Sequence, residues 1–505
     1  MVAALGQIAV TALVSRTVSD EYQLLIDGAW RKGGAGTYGV VNPATEQVVG
    51  EAPEASVDDA IAAAAAARLA FPQWSLTPLR ERAALLRKVA ERLQARSAEL
   101  VPLIMAETGA TLSVGSRMQV PVAVERFDRY SRITDYDLQI PLPPNPTGAS
   151  PLAPGGLIGG VVQRAPVGVV GCISPYNFPL VNMAGKVAPA LVAGNTVVMK
   201  APMQDPLAII ELARICEEVG FPKGVVNVIT SASADPAAAL VASTDVDMIS
   251  FTGSTGVGVR INEAGAKSMK RMLLELGGKG ACLVFDDADI ASAVTCLVST
   301  WAFHSGQICT APTRAVVHRK VYDELVAKLV AAAGHLKVGP PTEATTVIGP
   351  VISAAQRDRV ESYIKLGRAE GGDVVLDGTR PTGPGLDTGY YVGPTLIAGC
   401  RNDMRVVREE IFGPVIVVVA FDDDEQGVAL ANDCDFGLYN YVFTKDTARG
   451  YEVAKRLRSG HVGINTAQRN AETPFGGFKM SGIGRDGGIF GIHAYTELQS
   501  IVWPG

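Results

Sequence analysis

Histidine is scarce in this chain. The five residues present (His304, His318, His335, His461 and His493) show no ligand-like spacing, so no metal centre is expected. The seven cysteines are Cys172, Cys216, Cys282, Cys296, Cys309, Cys400 and Cys434, and they form no Cys-x-x-Cys pair. An odd number at wide spacing excludes a disulfide framework and indicates a reduced, cytoplasmic protein. Charge is thin as well: 19% of residues are charged, the formal net charge is -6, and no long basic run occurs. Nucleic acid is therefore not an expected partner. No apolar stretch approaches the ~20 residues a membrane span needs. Residues 1–20 are mildly apolar, most densely from Ile8 to Val14, but lack a positive leader and a clear cleavage site. They read as an N-terminal extension rather than a signal peptide.

What is present is ordinary globular composition. The 505 residues are 48% hydrophobic, and 54 glycines and 30 prolines are spread along the chain. That fits about three units joined by many short connections. Gln23 to Gly28 reads as a strand into a turn, and Val57 to Ala70 as a helix. Thr77-Pro78 reads as a helix start, with a capping hydroxyl and proline in the first turn. Leu86, Val89, Ala90 and Leu93 then recur at helical spacing. From Ile140 to Gly160 six prolines alternate with small residues, giving a linker or an extended arm.

Beyond that break, strands predicted at Val167–Ser174, Asn195–Lys200, Val225–Ile229, Asp247–Phe251 and Met272–Leu276 are separated by helical patterns. This predicts a parallel, Rossmann-like sheet whose ligand lies at the carboxyl ends of its strands. A second α/β pattern runs from Ala281 to about Phe478, and Leu498 to Trp503 is strand-like.

Cys309, in the run Phe303 to Thr310, is ringed by small and polar residues. Glu275 stands upstream beside Gly277-Gly278-Lys279. A thiol and a carboxylate of this kind suit an enzyme that forms a thioester and then activates the water that releases the product. Phe251-Thr252-Gly253-Ser254-Thr255-Gly256 joins a strand to a helix, either as a phosphate site or as a plain turn. A formal Gly-x-Gly-x-x-Gly at 482–487 follows no predicted strand and reads as a loop. Asn177, at a strand's carboxyl end, could offer its amide to an oxyanion, and is locally also a turn asparagine between two prolines. Lys200 ends a strand, in reach of a ribose or phosphate or of solvent. Glu409 and Glu410 read locally as surface charge.

Taken together, ISPYNFP (173–179), VVMK (197–200), FTGSTG (251–256), LELGGK (274–279), GQIC (306–309), EEIFGPV (409–415) and PFGGFKMSGIGR (474–485) make the chain resemble the aldehyde dehydrogenase superfamily. The resemblance runs from about residue 23 to the C-terminus. It implies an α/β fold: a Rossmann-like cofactor domain, an α/β catalytic domain and a small β oligomerisation arm. The matching boundaries are 21–138 with 165–276, then 277–480, then 139–164 with 487–505.

By the same resemblance Cys309 is the nucleophile, Glu275 the general base and Asn177 the oxyanion donor. Ile173, Ser174, Pro175, Tyr176, Lys200, Met203, Gly253, Ser254, Gly277, Glu410 and Phe412 contact the cofactor. Phe303, Ile308, Asn182 and Arg469 face the substrate. The implied partners are an aldehyde, NAD and further copies of the chain, as a homodimer or homotetramer.

The chain departs from the pattern in places. Met203 stands where many NAD-preferring relatives carry a glutamate, which leaves NADP open as cofactor. Gly256 replaces a bulkier residue. Asn182 and Gly185 stand where large side chains are common. Arg469 falls where many relatives place an aromatic wall, and is read either as a contact for a polar or anionic substrate end or as a solvent-facing loop residue. Three other readings stay in view: a coenzyme A-acylating oxidoreductase, which Glu275 disfavours, a silent paralogue, and a cysteine hydrolase without cofactor.

Overall fold

The computed structural model describes residues 22–134 and 139–504. The N-terminal extension read from residues 1–20 lies outside them. Two large sheets and three small ones make up the β-structure of the described residues.

The first sheet runs in the order Ala29–Arg31, Leu24–Ile26, Val226–Ile229, Thr196–Lys200, Val169–Ile173, Met248–Thr252, Arg271–Glu275, Gly482–Ile483. Its five central strands are parallel. Both faces are covered, by the cluster around Leu86, Phe127 and Met183 and by the cluster around Ala63, Ile249 and Leu274. Burial on two sides explains why these strands read as continuous apolar runs rather than alternating ones. The predicted strands agree with those observed to within two residues at either end.

The second sheet has the order Asp373–Leu376, Thr395–Ala398, Val415–Phe421, Arg314–His318, Ala281–Val284, Tyr439–Phe443, His461–Ile464. It carries separate cores around Trp301, Val407 and Phe285.

The proline-rich stretch is not a linker. Gln139–Thr147 is the edge strand of a three-stranded antiparallel sheet, beside Gly156–Pro166 and the C-terminal strand Thr496–Pro504. Prolines are tolerated because one side of an edge strand needs no ladder donors. The pairing shifts register between Leu142 and Asn145, where Pro143 and Pro144 sit.

Two local readings need correction. Pro78 occupies the N-cap of helix Leu79–Ala95, and no side chain caps that helix. The Thr77 hydroxyl instead donates back to Gln73 O. The run 482–487 contains a two-residue strand as well as a loop, since Gly482–Ile483 pairs antiparallel with Leu274–Glu275. A Cβ on Gly482 would lie 1.9 Å from Leu274 O, so that pairing depends on glycine.

Candidate active site

Residues of both large sheets meet at the site. Strand Arg271–Glu275 ends in Glu275, and the chain passes through Gly277-Gly278 into strand Ala281–Val284. A Cβ on Gly278 would stand 2.3 Å from the backbone oxygen of Cys309. The carboxylate's strand and the thiol's loop are thus in backbone contact, which only glycine permits.

Cys309 follows a strained turn. His304 (φ 48°) and Ser305 (φ 57°) are both left-handed, a conformation that costs about 1–2 kcal/mol per non-glycine residue. Gly306 continues the turn, and a Cβ there would lie 2.2 Å from Gly413 O. Strain of this kind persists where the surroundings over-determine it. Here Ser305 Oγ donates to Gly349 O (2.8 Å) and His304 Nε2 to Asn177 O (2.8 Å). Burial pushes the Cys309 thiol up to about 12, the Glu275 and Glu410 carboxylates add to this, and Arg469 opposes it.

Asn177 is 5% exposed, and its Nδ2 donates to Gln307 O at 2.8 Å. Its own backbone oxygen also accepts from Gln119 Nε2 at 3.1 Å. Gln119 closes a short π-helical stretch, Gly115–Gln119, a wide turn that re-aims a side chain. The Asn177 side chain is therefore tied to the cysteine loop and is more than a turn residue.

Glu275 is buried. Its Oε2 accepts from Thr252 Oγ1 (3.1 Å), and its Oε1 has no partner. Thr252 in turn accepts from Lys186 Nζ at 2.7 Å. Burial raises Glu275 above the usual carboxylate range, with Asp486 adding to the effect and Lys186 and Arg126 opposing it. A buried carboxylate with a free oxygen and raised affinity for protons is equipped to take one from water.

The cofactor candidates line the carboxyl ends of the first sheet's central strands, where such sheets bind ligands. Ile173 ends one strand, and Ser174 Oγ beyond it is buried without a partner. Tyr176, after Pro175, packs edge-on against the Phe412 ring at 5.9 Å. Lys200 Nζ donates to Ser231 O (3.1 Å), and burial pushes it down to about 8. Met203 is 45% exposed and brings no carboxylate to Lys200.

Gly253 precedes helix Thr255–Ala266, whose N-cap Ser254 makes no side-chain cap bond, so the first-turn amides keep room for an anion. Gly256 faces open space. Glu410 Oε1 accepts from Gly278 N (2.8 Å), and a Cβ on Gly277 would meet Glu410 Oε2 at 2.4 Å. An orphaned hydroxyl at Ser174, a helix N-terminus after Gly253 and the Glu410 carboxylate suit a dinucleotide.

The substrate candidates are less uniform. Phe303 and Ile308 flank the cysteine turn and are partly exposed. Asn182 turns back on its own helix, with Nδ2 donating to Phe178 O at 3.0 Å. The space at Gly185 is not empty, because a Cβ there would lie 1.6 Å from an Arg126 guanidinium nitrogen. Arg126 meets Asp486 at 3.3 Å. Arg469 is exposed, and its guanidinium lies 4.6 Å from the Phe475 ring centroid. No group of three or more potential metal ligands occurs among the described residues.

Sequence reading missed Thr252, Lys186, Asp486, His304 and Gln119. Only Lys186 carried a signal, as the one charged residue in helix Pro179–Ala193.

The sequence pattern of the aldehyde dehydrogenase family matches residues 30–501. The chain is 38% identical to betaine aldehyde dehydrogenase of Bacillus subtilis (strain 168), covering 95% of this chain and 96% of that one. It is 37% identical to 3-succinoylsemialdehyde-pyridine dehydrogenase of a Pseudomonas species, covering 96% and 98%. A solved structure of betaine aldehyde dehydrogenase from Staphylococcus aureus in complex with NAD+ superposes with a TM-score of 0.93, at 33% identity over 99% of this chain and 97% of that one.

Proposed function

The chain belongs to the aldehyde dehydrogenase family, and on that premise we propose that it oxidises an aldehyde to the carboxylic acid through a thioester on Cys309, hydrolysed with Glu275 as base. One observation carries the reading: Glu275 Oε1 is buried without a partner, beside a thiol that its charge perturbs.

In this scheme Cys309 Sγ attacks the aldehyde carbon. The resulting oxyanion takes a hydrogen bond from Asn177 Nδ2 and the Cys309 amide. Bound NAD would supply the acceptor for the hydride whose loss turns that adduct into a thioester. Glu275 then removes a proton from water, the water oxygen attacks the acyl carbon, and the thiolate leaves. Lys200, the amides after Gly253 and the Glu410 carboxylate would hold the cofactor. Met203 leaves room for a 2′-phosphate. NAD is the cofactor named for the structural relative and the one proposed here.

Reduced-nicotinamide formation over a panel of aldehydes, with NAD and with NADP, tests the scheme. No turnover with any pair, under conditions where the protein binds NAD, would refute it.

For the substrate end, Arg469 is proposed to meet an anionic or polar group distal to the aldehyde. Among the described residues it makes no ion pair, and it stacks on Phe475. Its charge is felt at the thiol. A charge-assisted bond to a carboxylate contributes about 1.5–3 kcal/mol. Arg469→Ala should therefore lower kcat/KM roughly tenfold to hundredfold for a carboxylate-bearing aldehyde, and change it little for a neutral aldehyde of equal length. Equal changes for both would return Arg469 to an ordinary surface residue.

We also propose the division into residues 21–138 with 165–276, 277–480, and an arm of 139–164 with 487–505. Ile140, Leu142, Leu498, Val502 and Trp503 leave this arm with an exposed apolar surface, which suits a homodimer or homotetramer. A light-scattering mass equal to a small multiple of 52.9 kDa is expected, and a monomer mass would overturn it.

A further inference from the structure

We infer that His304 is a positioning residue that fixes the Asn177 amide for the oxyanion, an assignment that rests on the reaction proposed above. Three residues form a closed ring of hydrogen bonds. His304 Nε2 lies 2.8 Å from Asn177 O. His304 O accepts from Gln307 N at 3.1 Å and from Gln307 Nε2 at 3.3 Å. Gln307 O accepts from Asn177 Nδ2 at 2.8 Å. The ring is anchored from outside, because Ile352 N donates to Gln307 Oε1 at 3.0 Å.

The chemistry of the ring sets its directions. A carbonyl only accepts, so His304 Nε2 must carry the hydrogen, and the tautomer is fixed. The imidazole is 2% exposed and burial pushes it down to about 4, so it stays neutral and adds no charge beside the thiol. The Phe178 ring packs against it, with centroids 5.1 Å apart.

An amide nitrogen has two hydrogens. One of those on Asn177 is committed to Gln307 O, which sets the plane of the amide and leaves the second hydrogen for the substrate oxygen. His304 and Gln119 hold the backbone end of the same residue. His304 does not reach the substrate itself. It fixes the position of the oxyanion donor relative to the cysteine loop, and the left-handed backbone at His304 and Ser305 brings the imidazole to Asn177.

A double-mutant cycle tests this. His304→Leu keeps the bulk and removes the donor. It should lower kcat by about 10- to 100-fold, the scale set by an ångström of misplacement, with KM for NAD unchanged. Ester hydrolysis at Cys309 should fall in parallel, because it passes through the same oxyanion. Alkylation of Cys309 by iodoacetamide should keep its rate. His304→Gln, whose amide reaches about as far, should restore most of the loss.

In an Asn177→Ala background, His304→Leu should cost nothing further. Multiplicative losses, or full activity in His304→Leu, would overturn the assignment. If His304→Leu does not fold, Gln119→Leu removes the other donor to the same carbonyl and must show the same coupling. Asn177→Ala alone reports on the proposed reaction, so failure of that reading is separable from failure of this one.

Discussion

Glu275→Gln yields an enzyme that releases one equivalent of reduced nicotinamide per active site and then stalls. The substitution is isosteric. The Gln oxygen can still accept from Thr252 Oγ1, which lies 3.1 Å from Glu275 Oε2, so packing and fold persist. What disappears is a base whose affinity for protons burial has raised. Loss of a positioned general base typically costs about 10²–10⁴-fold, and here only the hydrolytic half of the reaction needs it. The acylation half should not suffer. The Glu275 carboxylate raises the Cys309 thiol, so its removal favours the thiolate. Rapid-mixing absorbance should show a burst of near-unit amplitude followed by a slow phase at roughly one part in 10²–10⁴ of the parent rate. Loss of the burst together with the steady state would mean that Glu275 acts before hydride leaves, and the assigned role would fall.

Cys309→Ala is expected to remove turnover altogether, by about 10⁴-fold or more, the scale seen when a covalent nucleophile is deleted. NAD binding and the thermal midpoint should stay put, because the change deletes a single sulfur from a partly buried position. The pH dependence of the parent enzyme belongs to the same prediction. Burial holds the thiol above its usual range, so the thiolate is the minor form at neutral pH. Both the thiol and Glu275 gain their reactive, deprotonated forms as pH rises. The rate with limiting aldehyde should therefore climb through the neutral range into the alkaline range and fall away on the acid side. A Cys309→Ala protein that still reduced NAD would place the chemistry on another residue.

Of the residues proposed to carry bond-making, the thiol in a turn and the carboxylate before two glycines each sit in a short pattern with its own chemical logic, whereas Asn177 read locally as a turn residue as well and was assigned through the family resemblance. The central strands were legible from pattern too, since burial on both faces writes itself as an unbroken apolar run. What stayed hidden depends on approach in space. Asp486 lies in a glycine-rich run that looked like a loop, yet it faces Arg126 and acts on Glu275. Lys186 reaches Thr252 only because helix Pro179–Ala193 packs over the sheet. His304 and Gln119 converge on one carbonyl from distant segments. The helix start at Thr77 failed locally, because Pro78 itself takes the N-cap. The proline-rich arm was ambiguous because an edge strand and a linker share a composition, and only the pairing partner separates them.

The contact between Gly278 and Cys309 O bears on how decayed copies of such an enzyme would be recognised. Inspection for the thiol and the carboxylate alone would pass a descendant that kept both and had acquired any side chain at 278. That side chain would need space already held by the nucleophile's own backbone. Such a gene would look intact at every reactive atom and encode a dead protein, so position 278 belongs with Cys309 and Glu275 when an active lineage is told from a relic.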